Sequence, residues 1–155
     1  MIQKPIQHYY PEAGAICFGC GRSNPHGLRM ETYWDGTEGR CRYRPRPEHT
    51  AFPGAVYGGL IASLIDCHAV ATAMAAATEA AGLTLGHDSL LPFVTGNLNV
   101  SFLSPTPIGL EIELRARVKE LGPRKIVVTC SVLAEGRECA RGEVVAVRMP
   151  SNFEV

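Results

Sequence analysis

The period of the apolar positions changes along the chain, and the changes mark its elements. From Gly58, the residues Leu60, Ile61, Leu64, Ile65, Ala69, Thr72, Ala73 and Ala76 recur at helical spacing, and the alanine-rich run Ala71 to Ala77 leaves almost no polar face. This predicts one helix of about 22 residues, roughly 33 Å long and closed by Gly82 as C-terminal cap. Beyond a connector, Leu83 to Pro92, the period drops to two. Leu98, Val100 and Phe102 alternate with Asn97, Asn99 and Ser101, and Ile112, Leu114, Ala116 and Val118 with Glu111, Glu113, Arg115 and Arg117. Four strands are predicted, over Phe93–Leu103, Leu110–Leu121, Lys125–Ala134 and Arg137–Met149. The connectors Ser104–Gly109, Gly122-Pro123-Arg124 and Glu135-Gly136 are turn chemistry, so the strands are expected to be consecutive and antiparallel.

Upstream of the helix, Leu28 to Tyr43 alternates around Asp35-Gly36, with Met30, Thr32 and Trp34 on one side of the first run and Cys41 and Tyr43 in the second. This reads as a hairpin. Prolines 45, 47 and 53 with Gly54 then make Arg44 to Tyr57 an extended loop. Residues 1–27 hold prolines at 5, 11 and 25 and glycines at 14, 19, 21 and 27 without any period, and read as an arm or cover rather than a core element. One domain, residues 28–150, follows. A helix that is apolar nearly all round must be surrounded, and about six strands are available. The expected class is therefore α+β, with a single curved antiparallel sheet wrapped around one long central helix. Pairing of a sheet edge between two subunits would satisfy its open hydrogen bonds, so at least a homodimer is expected.

Composition narrows the reading. The chain has 155 residues, 15 basic and 15 acidic side chains and 46% hydrophobic residues. Such a chain can bury a core, is not disordered, and carries no basic stripe for nucleic acid. Residues 1–16 lack the apolar stretch of a secretory signal, so the six cysteines are expected to be reduced and the protein cytoplasmic. The apolar stretch Leu60–Ala81 approaches membrane-spanning length, yet it carries Asp66, His68 and Glu79 without flanking Lys or Arg. A buried helix is the expectation, with no membrane partner.

Asp66 is the most informative residue, because an ionisable group amid an apolar helix costs several kcal/mol to bury unless it is paired or used. It is either an acid facing a polar loop or interface, or a catalytic carboxylate. Tyr57-Gly58-Gly59 opens the same helix, where free N–H groups unobstructed by side chains can receive a developing oxyanion. Gly58 and Asp66 are eight residues apart, about 12 Å along a helix, too far to act on one carbonyl. If they cooperate, they do so from two subunits. His68 lies about 200° around the helix from Asp66 and reads as a buried histidine with a backbone or cross-subunit partner. Cys17 and Cys20 form a C-x-x-C pair, but the sequence offers no second pair to complete a zinc site, so no metal is expected and the pair reads as packing of the arm. Cys67 reads as a small core residue.

The segments Cys17-Phe18-Gly19-Cys20-Gly21, Asn24-Pro25, Gly27-Leu28, Phe52-Pro53-Gly54, Gly58-Gly59-Leu60-Ile61-Ala62, Leu64-Ile65-Asp66, Thr95–Phe102 and Pro105-Thr106-Pro107 in combination resemble the hotdog-fold acyl-CoA thioesterases of the phenylacetyl-CoA thioesterase type. The resemblance runs from about residue 17 to 149. It implies the hotdog fold and hydrolysis of an acyl-CoA thioester at a site shared by two subunits, in a homodimer or a dimer of dimers and without a cofactor. Asp66 matches the family's helix acid, either a general base that activates water or a nucleophile. The Gly58 N–H matches its oxyanion donor. Thr95 stands where some members place a hydroxyl near the acid, and otherwise is an ordinary strand residue. Tyr57, Gly59, His49 and Asn97 are candidates for lining the substrate cleft, and Arg124 and Lys125 for meeting the coenzyme A phosphates.

The chain departs from the family at Tyr57, where a histidine is common, and at Ala51, where an asparagine often stands. Small or medium acyl groups are the expected substrates. The alternatives are a non-catalytic acyl-CoA-binding protein and a hydratase or dehydratase, the latter requiring His68 across the interface.

Overall fold

The computed structural model describes residues 3–150; the first two residues of the arm lie outside it. Its elements are β1 (Tyr33–Trp34), β2 (Gly39–Tyr43), α1 (Gly58–Ala80), β3 (Phe93–Phe102), β4 (Ile112–Leu121), β5 (Lys125–Ala134) and β6 (Arg137–Arg148). The six strands form one antiparallel sheet in the order β1-β2-β4-β5-β6-β3. α1 packs across β2 to β6, which is the expected wrapping of a sheet around a central helix.

The helix ends where the sequence predicts. The Ala81 N–H donates to the Ala77 carbonyl and Leu83 to Thr78, while Gly82 adopts φ +75°, a conformation that favours glycine. Leu64 and Ile65 are fully buried, and burying each such side chain contributes about 1.5–3 kcal/mol. Small residues on both sides let helix and sheet approach closely. A Cβ added at Gly142 of β6 would lie 2.6 Å from Ile65 Cγ2.

One expectation about connectivity is corrected. β3 and β4 are not neighbours: β3 pairs with β6 at one end of the sheet, and β4 lies between β2 and β5. The Ser104–Gly109 connector carries two prolines that donate no backbone hydrogen bond, and it docks on the loop ahead of α1 instead of folding back. The Val56 N–H donates to the Thr106 carbonyl at 2.8 Å and Ile108 to Gly54 at 3.0 Å. β1 is also shorter than the alternation implied, although Met30, Thr32 and Trp34 are all buried on one side as expected.

A second correction concerns the arm. Ile6 and Tyr10 belong to the main core, with Ile6 only 1% exposed, and the Ile6 N–H donates to the Thr32 carbonyl. Single apolar residues in an aperiodic stretch carry no pattern that would announce this. The Arg22 guanidinium ties the arm together by donating to the Gln7 and Tyr10 carbonyls.

His68 is fully buried with a backbone partner, as expected. Gln7 Nε2 donates to Thr32 Oγ1, that hydroxyl donates to His68 Nδ1 at 2.9 Å, and His68 Nε2–H donates to the Gly39 carbonyl at 3.1 Å. This chain of bonds requires a neutral ring, and burial lowers the histidine pKa to about 4.

Candidate active site

Asp66 lies on the third turn of α1, half-buried between the helix and the edge strand β3. Its Oδ1 accepts a hydrogen bond from Thr95 Oγ1. Burial raises its pKa, the Thr95 hydroxyl opposes that rise, and the negative charge at Cys17 adds to it. The result is a carboxylate of increased basicity, held by one donor.

A bulge at Gly96 sets the direction of Thr95. Thr95 pairs with Ala146 and Asn97 with Val145, so one extra residue enters β3 between them. Thr95 faces the helix with Ala146, and beyond the bulge Leu98, Val100 and Phe102 occupy that same side opposite Val144, Gly142 and Ala140. Asn97 faces the outer side of the sheet, away from the Thr95 hydroxyl. Glycine at position 96 avoids a clash, since a Cβ there would come within 2.6 Å of Val147 Cγ2.

At the helix start, Gly58 and Gly59 are the first two helical residues, whose N–H groups have no acceptor within the helix. The Phe102 ring lies over Gly58, with Cζ 3.3 Å from where a Cβ would stand. The Tyr57 ring folds against Gly59 and leaves no room for a Cβ there. Tyr57 makes no side-chain cap and is 56% exposed, and its N–H donates to the His49 carbonyl at 2.8 Å. The His49 ring stays within its own loop, where Nδ1 accepts from the Arg46 N–H and the ring stacks on Tyr43. Asp66 is eight positions beyond Gly58 along the helix, so one chain keeps these two groups about 12 Å apart.

Arg124 and Lys125 lie exposed at the β4–β5 turn. Lys125 pairs with Val147, which pairs in turn with Val94, the residue before Thr95. The two cations are therefore at the Asp66 end of the sheet. Arg148, which no sequence motif singles out, joins them there; its N–H donates to the Arg124 carbonyl and its guanidinium lies 5.8 Å from the centre of the Phe93 ring. The β5–β6 hairpin sets Arg148 beside Arg124, and the pairing of β3 with β6 brings Phe93 and Thr95 alongside them.

The sequence reading also missed a cluster. Cys67 is not merely a core thiol: its sulfur lies 3.9 Å from Cys17 Sγ, and the sulfurs of Cys17, Cys20 and Cys67 are all within 4.8 Å of one another. The Cys20 and Cys67 thiols, aided by the Cys20 and Gly19 backbone amides, hold the Cys17 thiol far down, at about 2. Cys20 is pushed up to about 12, chiefly by Cys17, and Cys67 is pushed up by Cys17 and Cys20.

Residues 53–140 match the family model described as the thioesterase superfamily. The chain belongs to the thioesterase superfamily. Among solved structures, a thioesterase superfamily protein from Shewanella loihica is 45% identical, with 81% of this chain and 95% of that chain covered at a TM-score of 0.65. A Streptococcus mutans protein solved bound to acetyl CoA shares the fold at 14% identity and a TM-score of 0.65, covering 77% of this chain and 88% of that one. Acyl-coenzyme A thioesterase THEM4 of Xenopus laevis is 26% identical over 69% of this chain. The chain spans about half or less of the curated relatives it matches, 42% of the Xenopus protein and 50% of its rat counterpart.

Proposed function

We propose that this chain is an acyl-CoA thioesterase that hydrolyses small or medium acyl-CoA thioesters to the free acid and coenzyme A, in the reducing cytoplasm. The observation that carries the proposal is the half-buried Asp66 carboxylate on a largely apolar helix, bonded to Thr95 on the sheet edge. Family membership and the acetyl CoA bound by the Streptococcus relative support the substrate class.

In this reading Asp66 is the general base. It takes a proton from water as the oxygen attacks the thioester carbonyl, and Thr95 orients the carboxylate. The Gly58 N–H of a second subunit stabilises the oxyanion, because the Gly58 of the same chain is too distant. Collapse of the tetrahedral intermediate expels the coenzyme A thiolate. Arg124, Lys125 and Arg148 meet the phosphates.

The site is thus shared within a homodimer. Val94, Leu98 and Phe102 are exposed along the edge strand β3, and a ten-residue edge of that character is one that proteins cover. A second copy of β3 is the proposed cover.

Thiol release from a panel of short, long and aromatic acyl-CoAs, by wild type and by Asp66→Asn, tests the assignment. Turnover should fall by two or more orders of magnitude in the variant, while acyl-CoA affinity stays within a few-fold. Binding without turnover by the wild type would replace hydrolysis with an acyl-CoA-binding role, and would trace to Tyr57, which forms no cap bond where the family commonly has histidine. Single turnover in ¹⁸O-water distinguishes the two roles of Asp66. Label confined to the product acid fits a general base, whereas label in Asp66 itself would make it the nucleophile.

A further inference from the structure

The N-terminal arm meets the central helix at three sulfurs. Cys17 and Cys20 stand on the tight turn Cys17-Phe18-Gly19-Cys20-Gly21, closed by the Gly21 N–H donating to the Cys17 carbonyl at 2.8 Å. Cys67 projects from α1, beside Asp66. Cys17 Sγ and Cys67 Sγ are 3.9 Å apart, and all three sulfurs lie within 4.8 Å of each other. Four ligands at about 2.3 Å around a tetrahedral zinc ion place neighbouring sulfurs about 3.8 Å apart. The observed Cys17–Cys67 separation of 3.9 Å is close to that value.

Two glycines fix this geometry. Gly19 presses so closely on the Cys67 sulfur that a Cβ would overlap it, and a Cβ at Gly21 would strike the Ala15 carbonyl and the Cys17 backbone. The turn therefore has no room for a side chain at either glycine, and its two thiols are brought to the helix thiol. A disulfide is a poorer account of the cluster. It uses two sulfurs rather than three, and closing Cys17 and Cys67 to about 2.05 Å would draw them together by roughly 2 Å against the Gly19 contact.

We propose that Cys17, Cys20 and Cys67 form a thiolate site for zinc, with a water molecule in the fourth position, which fastens the arm to the central helix next to Asp66. Each thiol that carries a proton releases it on binding, so that three thiolates ligate one divalent ion. Fastening at this point fixes the arm against the helix turn that carries the candidate catalytic acid. The sequence alone shows only the Cys17–Cys20 pair; the third ligand comes from a residue fifty positions further on.

The test is metal binding by the full chain, purified under reducing conditions and stripped of metal with a chelator. Cobalt(II) titration should reach one equivalent per chain, with a sulfur-to-cobalt charge-transfer band in the near ultraviolet and tetrahedral d–d bands, and zinc should displace it. Cys17→Ser, at an exposed position, should keep the circular dichroism spectrum and weaken zinc at least tenfold in competition with a chromophoric chelator. Cys139→Ser, a buried cysteine outside the cluster, should leave stoichiometry unchanged. Failure of the reduced wild type to bind either metal stoichiometrically would overturn the proposal, as would undiminished binding by Cys17→Ser. Formation of a Cys17–Cys67 disulfide in a protein that binds no metal would overturn it in favour of a redox pair. None of these readouts depends on thioester hydrolysis, so this site and the proposed activity stand or fall separately.

Discussion

Thr95 is the residue whose role is most sharply defined by its contact. Its hydroxyl is the side-chain donor to Asp66 among the described residues, and a hydrogen bond to a charged group is worth about 1.5–3 kcal/mol. Thr95→Val should therefore lower kcat roughly 10- to 100-fold, while Thr95→Ser, which keeps the hydroxyl, should recover most of it. A KM change of similar size in both variants would instead make Thr95 a packing residue. Asp66 was legible in the sequence because charge within an apolar helical repeat is costly and so draws notice. The hydroxyl that holds it was legible only as a position matched by resemblance. Its direction depends on the Gly96 bulge, which the alternation of β3 does not announce. Asn97 shows the same effect in reverse, since the bulge turns it to the outer face of the sheet.

At the scale of elements, the seam between α1 and β6 is set by the smallest residues. Gly142→Ala would drive a methyl into Ile65, and overpacking of that kind costs about 1–3 kcal/mol. Urea unfolding should show a lowered midpoint with an unchanged slope. The β1–β2 turn responds instead to acid. The Asp35 carboxylate accepts from the Thr37 and Glu38 amides and the Thr37 hydroxyl, and these donors, the Glu38 amide foremost, lower its pKa from 3.8 to about 2. A depressed native pKa contributes stability that is present above the unfolded value and is lost as pH falls towards 2. Stability measured from pH 5 to pH 2 should therefore decline, and Asp35→Asn should decline less steeply over that interval. The helix and four long strands were legible because periods of 3.6 and 2 persist over ten or more residues. The neighbour of β3 was not, because a connector rich in turn residues looks the same whether it reverses the chain or carries it past the helix start.

For the molecule as a whole, the unequal edges of the sheet carry the main prediction. β1 offers two residues, whereas β3 offers ten, with Leu98 36% exposed and Phe102 57% exposed. Leu98→Lys should convert the proposed dimer to a monomer in sedimentation analysis, and hydrolysis should fall with dimerisation because Gly58 and Asp66 would no longer meet. A dimeric variant with full activity would remove β3 from the interface. A monomeric wild type with full activity would remove the shared site altogether.

Periodicity by itself determined the elements, their order, the α+β class and the burial of the central helix, since each follows from where apolar side chains fall along a regular backbone. The acid on the helix and the glycines at its start were also visible, because both break the local pattern. Tertiary structure decided what depends on distant segments meeting: β3 beside β6, Arg148 beside Phe93, Ile6 in the core, and Cys67 with Cys17 and Cys20. These contacts join residues far apart in the chain, and no local repeat records which partner a side chain will find once the sheet has closed around the helix.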